Sequence, residues 1–290
     1  MAQTIVFLWP GHVPYQLRIY EQLADWGYNV VVYNTEMDAT APCYANPHPG
    51  VTYLSSEDLD GASLLTQVQR FTPHIIVTSG WYIGKYKYVC RWYRKHSAVP
   101  TICKIDTHFL HTWKQRIGFL ISPFYVKPSF SHMLVPGVRQ YHFARRLGYD
   151  RQHILLYGLT ADTALFTDTD ITHKGERFPH TFLFAARLVR EKGLDVLVRA
   201  WREIQDKKDW QMAIVGSGEE RERLRLDNVE GVTVYDYMQQ ADLVQFTSGH
   251  GVYVLPSVYE PWALTIQEFA AAGMPLLCSE ACGAVPHFLT

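Results

Sequence analysis

Long apolar runs are missing from this chain. No stretch of the 290 residues approaches the ~20 consecutive apolar residues that span a bilayer. The opening, MAQTIVFLWPGH, lacks the basic region and cleavage site of a secretory leader, so the cytoplasm is the expected compartment. Cysteine is sparse. Cys43, Cys90, Cys103, Cys278 and Cys282 are odd in number and form no C-x-x-C pair, which argues against a disulfide framework or a zinc site and for free thiols. Cys278 and Cys282 stand four apart without a second pair to complete a metal site. Basic residues are nearly absent from residues 1–69, where Arg18 faces seven acids. Acids are as scarce over residues 70–150, where only Asp106 and Asp150 oppose thirteen Lys and Arg, a local balance of 13 − 2 = +11. The net charge of −1 therefore hides a strongly basic middle, which points to an anionic partner or surface.

What is present is a regular alternation of short β-rich runs and helical periodicities, at an apolar content of 48%. Strands are expected at 4–9, 29–33, 74–78, 101–105, 132–135 and 153–157, and helices at 14–26, 61–71, 85–96, 113–125 and 138–147, with a Pro- and Ala-rich loop over 34–50. Residues 158–179 lose the pattern and read as a linker. Alternation then resumes, with strands at 181–185, 212–215, 232–235, 252–255 and 276–278 and helices at 193–204, 219–226 and 239–246. A final helix starts near Ala284. The expectation is an α/β protein of two Rossmann-like domains, 1–157 and 180–290, with ligand at the strand ends. No internal repeat or low-complexity segment is visible.

One stretch organises the second half: VYVLPSVYEPWALTIQEFAAAGMP, residues 252–275. Pro261 stands where a first helical residue would, and Gly273 and Pro275 close the helix. A helix start offers unpaired N–H groups, here expected from Trp262, Ala263, Leu264 and Thr265, and so an anion site. Glu260 lies before this start. Glu268 would lie about 10 Å beyond it at ~1.5 Å per residue, suited to the far end of an extended ligand. Upstream, Arg187 ends a strand and Lys192 precedes a glycine and a helix; a guanidinium fork and a point charge on one strand-end surface suit phosphate, and the plainer alternative is a solvated basic loop. Gly216-Ser217-Gly218 lacks a third glycine, position 221 being Arg, so a dinucleotide-binding role is not expected.

Arg187 with Lys192-Gly193, and Glu260-Pro261 with Glu268 after seven intervening residues, resemble glycosyltransferase family 4, the retaining enzymes of GT-B fold. The likeness covers most of residues 180–285. Ile214 to Gly218, Tyr157-Gly158-Leu159 with Asp162 and Phe166, Pro10-Gly11-His12 and Thr107-His108 extend it more weakly. The resemblance implies that Arg187 and Lys192 bind the diphosphate of a nucleotide-sugar donor. It also implies that Glu260 contacts the transferred sugar, that Glu268 holds the ribose, and that amides near Trp262 to Thr265, with Gly216 and Gly11, approach the donor. His108 would lie against the sugar; otherwise it is a loop or core residue, and His12 has a weaker case. Neither metal nor other cofactor is implied. The implied reaction moves a hexose-type sugar to a saccharide or lipid-linked acceptor, with retention, in cell-surface polysaccharide or glycoconjugate synthesis. The alternatives are a nucleotide-sugar-binding module without turnover and a GT-B epimerase.

Three departures qualify the likeness. Ala263 occupies a position often glycine in the family, and the first loop has one glycine, Gly11, where many relatives have two. The sequence stops at Thr290, so a shortened enzyme with impaired closure is expected. The segment WYIGKYKYVCRWYRKH interleaves Lys85, Lys87, Arg91, Arg94 and Lys95 with Tyr86, Tyr88, Trp92 and Tyr93. That mixture suits an anionic membrane surface or a lipid-linked acceptor, with an ordinary solvated helix as the alternative; nucleic acid is not the expected partner.

Overall fold

The computed structural model describes residues 2–35, 48–167, 174–175 and 177–289. The chain divides into two compact units, Met1–Leu159 and Thr160–Thr290.

In the first unit, seven parallel strands form one sheet in the order β3-β2-β1-β4-β5-β6-β7: β1 (Thr4–Trp9), β2 (Asn29–Asn34), β3 (Val51–Ser55), β4 (Ile75–Ser79), β5 (Thr101–Lys104), β6 (His132–Leu134) and β7 (Ile154–Leu155). All six residues of β1 are buried because helices cover both faces of a parallel sheet. Successive side chains alternate between faces, so Val6 and Leu8 enter one core cluster while Ile5, Phe7 and Trp9 enter another. β3 is not among the strands expected from the sequence. It is an edge strand of mixed burial, VTYLS, and lacks the continuous apolar run that marks the inner strands.

The second unit is a five-stranded parallel sheet in the order β10-β9-β8-β11-β12: β8 (Thr181–Ala185), β9 (Gln211–Val215), β10 (Val232–Tyr235), β11 (Val252–Leu255) and β12 (Leu276–Cys278). The chain runs outward from β8 through β9 to β10, then returns to lay β11 on the other side of β8. That reversal makes the carboxyl ends of β8 and β11 a topological switch point, where the first turns of the following helices part and leave a crevice.

Three expectations change. Residues 160–167, read as linker, belong to the second unit: the Ala161 amide donates to Gln267 Oε1 at 2.7 Å, and Phe166 is fully buried against Phe269. The single helix at 219–226 is two short turns, Glu220–Arg223 and Leu226–Asn228, broken where Arg225 adopts φ 49°. The helix expected from Pro261 begins later, at Leu264–Ala271. Its delay has a backbone cause: Glu260 pairs as an isolated parallel bridge with Cys282, and the carbonyls of Glu260 and Trp262 accept from the amides of Gly283 and Ala284. Residues 260–262 therefore run extended. The helix ends as expected, since Gly273 at φ 69° and the 3.0 Å bond from the Met274 amide to the Phe269 carbonyl make a Schellman close.

Candidate functional site

The second unit's switch point is assembled by three glycines where backbone meets backbone. A Cβ at Gly193 would lie 2.1 Å from the Pro256 carbonyl oxygen, one at Gly216 2.0 Å from that of Ala186, and one at Gly218 2.3 Å from that of Leu188. All three have positive φ, so glycine is required twice over. These approaches bring the ends of β8, β9 and β11 together. Further bonds lock them: the Leu188 amide donates to the Ser217 carbonyl at 2.8 Å, and the Val258 amide to that of Glu191 at 2.9 Å.

On this frame Lys192, at the end of a 3-10 turn (Arg190–Lys192), meets Glu260 as an ion pair and hydrogen bond across 68 residues of sequence. Both side chains are largely covered, at 16% and 10% exposure, which makes the pair a partly desolvated charge couple rather than a surface bridge. Arg187 leaves the same β8 loop and is exposed. Cys282, beside the pair on the bridged strand, is buried, and burial pushes its thiol pKa up. The Ser279 hydroxyl donates to the Ser257 carbonyl and fixes the floor of the loop.

The stretch from Trp262 to Glu268 departs from its expected geometry. Trp262 is buried with its ring near His287 and Phe288, and its indole N–H has no hydrogen-bond partner among the described residues. Ala263 caps the helix at φ 74°, ψ 84°, a left-handed conformation that an L-residue adopts at a cost. The preference for glycine noted at this position thus has a backbone origin besides any approach of ligand. Leu264 opens the helix and the Thr265 hydroxyl accepts from Tyr253 at 2.7 Å. Glu268 lies one turn in, about 6 Å along the axis at ~1.5 Å per residue rather than the 10 Å expected. Its carboxylate accepts from Gln240 Nε2 at 2.9 Å, and burial raises its pKa. Gln240 opens a helix (Gln240–Ser248), and a Gln following another Gln at a helix start carries no local signal of a site.

Gly11 and His108 belong to the first unit. Gly11 follows β1, and the neighbouring His12 accepts through Nε2 from Asn34 Nδ2 at 2.7 Å. His108 is buried, and its carbonyl accepts from Gln115 Nε2 at 2.9 Å. This unit has its own switch point between β1 and β4. A cavity of about 280 Å³ opens beside it at the ends of β4 and β5, lined by Ser79 to Tyr82 and Lys104 to Thr107, and a smaller adjoining one reaches Trp9 and Tyr15. Lys104 forms the floor. It is 8% exposed, donates to Gln16 Oε1 at 2.7 Å, and lies 5.0 Å from the Trp9 ring and 4.8 Å from the Tyr15 ring. Burial lowers its pKa to about 7 despite the opposing charge of Asp106. A lysine closing the buried strand TICK is the signal that the sequence offers.

The basic segment differs most from its expected form. In its helix, Gly84–His96, Tyr86 and Tyr93 are core residues and not a surface row. Lys85 donates to the carbonyls of Ser56 and Glu57, and Lys87 sits 3.4 Å over the Tyr125 ring, leaving Arg91, Arg94 and Lys95 exposed. Among the described residues Cys90, Cys103, Cys278 and Cys282 are free thiols, Cys43 lying outside them, and no cluster of three His, Cys, Asp or Glu suited to a metal occurs.

Residues 169–290 match the family described as glycosyl transferases group 1. An uncharacterized glycosyltransferase of Methanocaldococcus jannaschii is 32% identical over 106 residues, 35% of this chain and 27% of the relative. The chain thus spans about a quarter of the length of that curated relative. Sucrose-phosphate synthase from Thermosynechococcus elongatus superposes with a TM-score of 0.70 at 18% identity, covering 97% of this chain and 82% of the other. Anabaena HepE, in complex with UDP and glucose, gives 0.67 at 16% identity over 98% and 82%. These likenesses identify the two-sheet α/β architecture as the GT-B fold.

Proposed function

We propose that the protein is a nucleotide-sugar-dependent glycosyltransferase, a reading supported by the match of residues 169–290 to the glycosyl transferases group 1 family and by the GT-B fold. The observation that carries this reading is the Lys192–Glu260 couple at the switch point of the second sheet, with Arg187 on the same loop. A diphosphate entering the crevice competes with Glu260 for Lys192. Lys192 and Arg187 then neutralise the phosphate charge that grows as the glycosidic bond breaks. Glu260, released from its partner, accepts hydrogen bonds from the hydroxyls of the sugar. Glu268, one turn into the next helix and already accepting from Gln240, anchors the ribose. The complex of HepE with UDP and glucose supports a ligand of this class.

The transferred group is a hexose-type sugar, moved with retention by front-face substitution in which the leaving phosphate takes the acceptor proton. The acceptor is a saccharide or lipid-linked saccharide received by the first unit, where His108 and the Lys104 cavity lie. Charge neutralisation by Arg187 and Lys192 makes a metal unnecessary, and no other cofactor enters. Incubation with UDP-, GDP- and ADP-hexoses, with product analysis by NMR, tests the reading. Release of nucleoside diphosphate with an axially retained product, undiminished by EDTA, is expected. Tight donor binding with no hydrolysis or transfer would instead support a binding module, and epimerised donor would support the epimerase reading.

A further inference from the structure

The first unit carries a helix that presents its apolar face outward. In Trp113–Tyr125, WKQRIGFLISPFY, the side chains of Trp113, Ile117, Leu120, Ile121 and Phe124 are exposed at 66%, 48%, 76%, 49% and 79%. At about 100° per residue, Trp113, Ile117, Leu120 and Phe124 fall within an arc of about 60°. Lys114 and Arg116 border that arc on opposite sides. The inward side is held by Phe119, packed against the core, and by Ser122, whose hydroxyl donates to the Leu147 carbonyl at 2.8 Å. The helix is therefore docked in a fixed orientation, with the Thr112 side chain capping its start. Its large apolar side chains have been placed in water by the fold itself. A contiguous row of that kind, rimmed by polar residues, marks an interaction surface.

The surrounding charge selects the occupant. Between Asp106 and Asp150 there is no acid, while Lys114, Arg116, Lys127, Arg139 and Arg146 are basic and Arg145 is ion-paired with Asp150. Lys87, seated over Tyr125 at 3.4 Å, adds a cation at the end of the row. A second copy docking face to face would set these like charges against each other. An anionic bilayer surface meets both requirements at once: its acyl boundary takes the apolar row, its headgroups pair with the bordering cations, and Trp and Tyr sit at headgroup depth. We propose that Trp113–Tyr125 is an interfacial helix that docks the protein on an anionic lipid surface, lying in the plane of the membrane. Thirteen residues are too few to cross it, and no helix among the described residues is long and apolar enough to do so. The docking element is thus moved from the Lys85 to Lys95 segment, much of which is tied into the fold, to its neighbour. This inference does not depend on the transfer reaction.

Flotation of the full chain with vesicles tests it. Binding to phosphatidylglycerol–phosphatidylcholine vesicles and little binding to phosphatidylcholine alone are expected. The double substitution Leu120→Ser, Phe124→Ser should weaken binding about tenfold or more, since two exposed side chains lose their burial in lipid. Unchanged far-UV circular dichroism would show that the variant folds, as substitution at exposed positions should allow. Arg187→Ala, in the other unit, should float like the parent. Equal flotation of the double variant, or absence of flotation by the parent, would overturn the proposal. So would a sedimenting dimer of the parent that the double variant abolishes without any effect on vesicle binding.

Discussion

Ala263 and Lys104 show how single residues carry strain that the rest of the chain sustains. Ala263 holds φ 74° because the extended run 260–262, bridged to Cys282, must turn abruptly into the helix Leu264–Ala271. An L-residue pays about 1–2 kcal/mol for left-handed backbone, and glycine escapes it. Ala263→Gly should therefore raise stability by roughly 0.5–1 kcal/mol, the unfolded-state entropy of glycine offsetting part of the relief; a lower denaturation midpoint in urea would contradict the assignment of strain. Lys104 has its pKa lowered to about 7 by burial. Its unfolded value lies near 10.4, so between these values the unfolded chain binds the extra proton and stability contributed by this group rises with pH. Below about pH 7 both states are protonated and the penalty is fully present. Lys104→Met should flatten this part of the stability profile between about pH 7 and 10.4 relative to the parent. Parallel profiles for the two proteins, measured by denaturant titration, would show that the amine is hydrated after all.

At the scale of elements, the decisive features are loops pressed together at strand ends. Gly216 allows the β9 loop to touch the Ala186 carbonyl, where a Cβ would sit 2.0 Å away, and no side chain can move aside because the obstacle is backbone. Gly216→Ala should cost several kcal/mol, on the order of other substitutions forced into a forbidden conformation, and should separate Arg187 from the crevice. A thermal midpoint within a degree of the parent would count against the packing described. These loops also show what could be read from the chain beforehand. The apolar runs of β1, β8 and β11 announce buried parallel strands, and Glu260 and Lys192 stand next to the proline and glycine signals that a strand-end site requires, with Arg187 at the end of its strand. The helix start could not be read in the same way: Pro261 is a good first helical residue by local rule, but Cys282 to Ala284, distant in sequence, draw its neighbours into an extended bridge. Nor could the outward face of Trp113–Tyr125, whose periodicity is that of any core helix; only its packing shows which side faces water. Lys104 and Gln240 act through partners 88 and 28 residues away, beyond any window of local pattern.

At the scale of the molecule, each of the two units puts its crevice where its sheet order reverses, and the charge is shared out unevenly between them. Residues 70–150 of the first unit hold the basic excess and the outward apolar helix, while the second unit holds the Lys192–Glu260 couple. The proposed division of labour, with the donor held by the second unit and the acceptor by the first, rests on this arrangement and on the match of residues 169–290 to the group 1 family. The central claim is that the second crevice receives a nucleoside diphosphate on Lys192 and Arg187, and calorimetric titration of UDP-glucose, with GDP- and ADP-glucose alongside, tests it most directly. One of these donors should bind the parent, and Arg187→Ala and Lys192→Ala should each weaken that binding about tenfold or more, as loss of a charge-assisted phosphate contact does. Donor binding of unchanged affinity in both variants, or no binding of any donor to the parent, would contradict it.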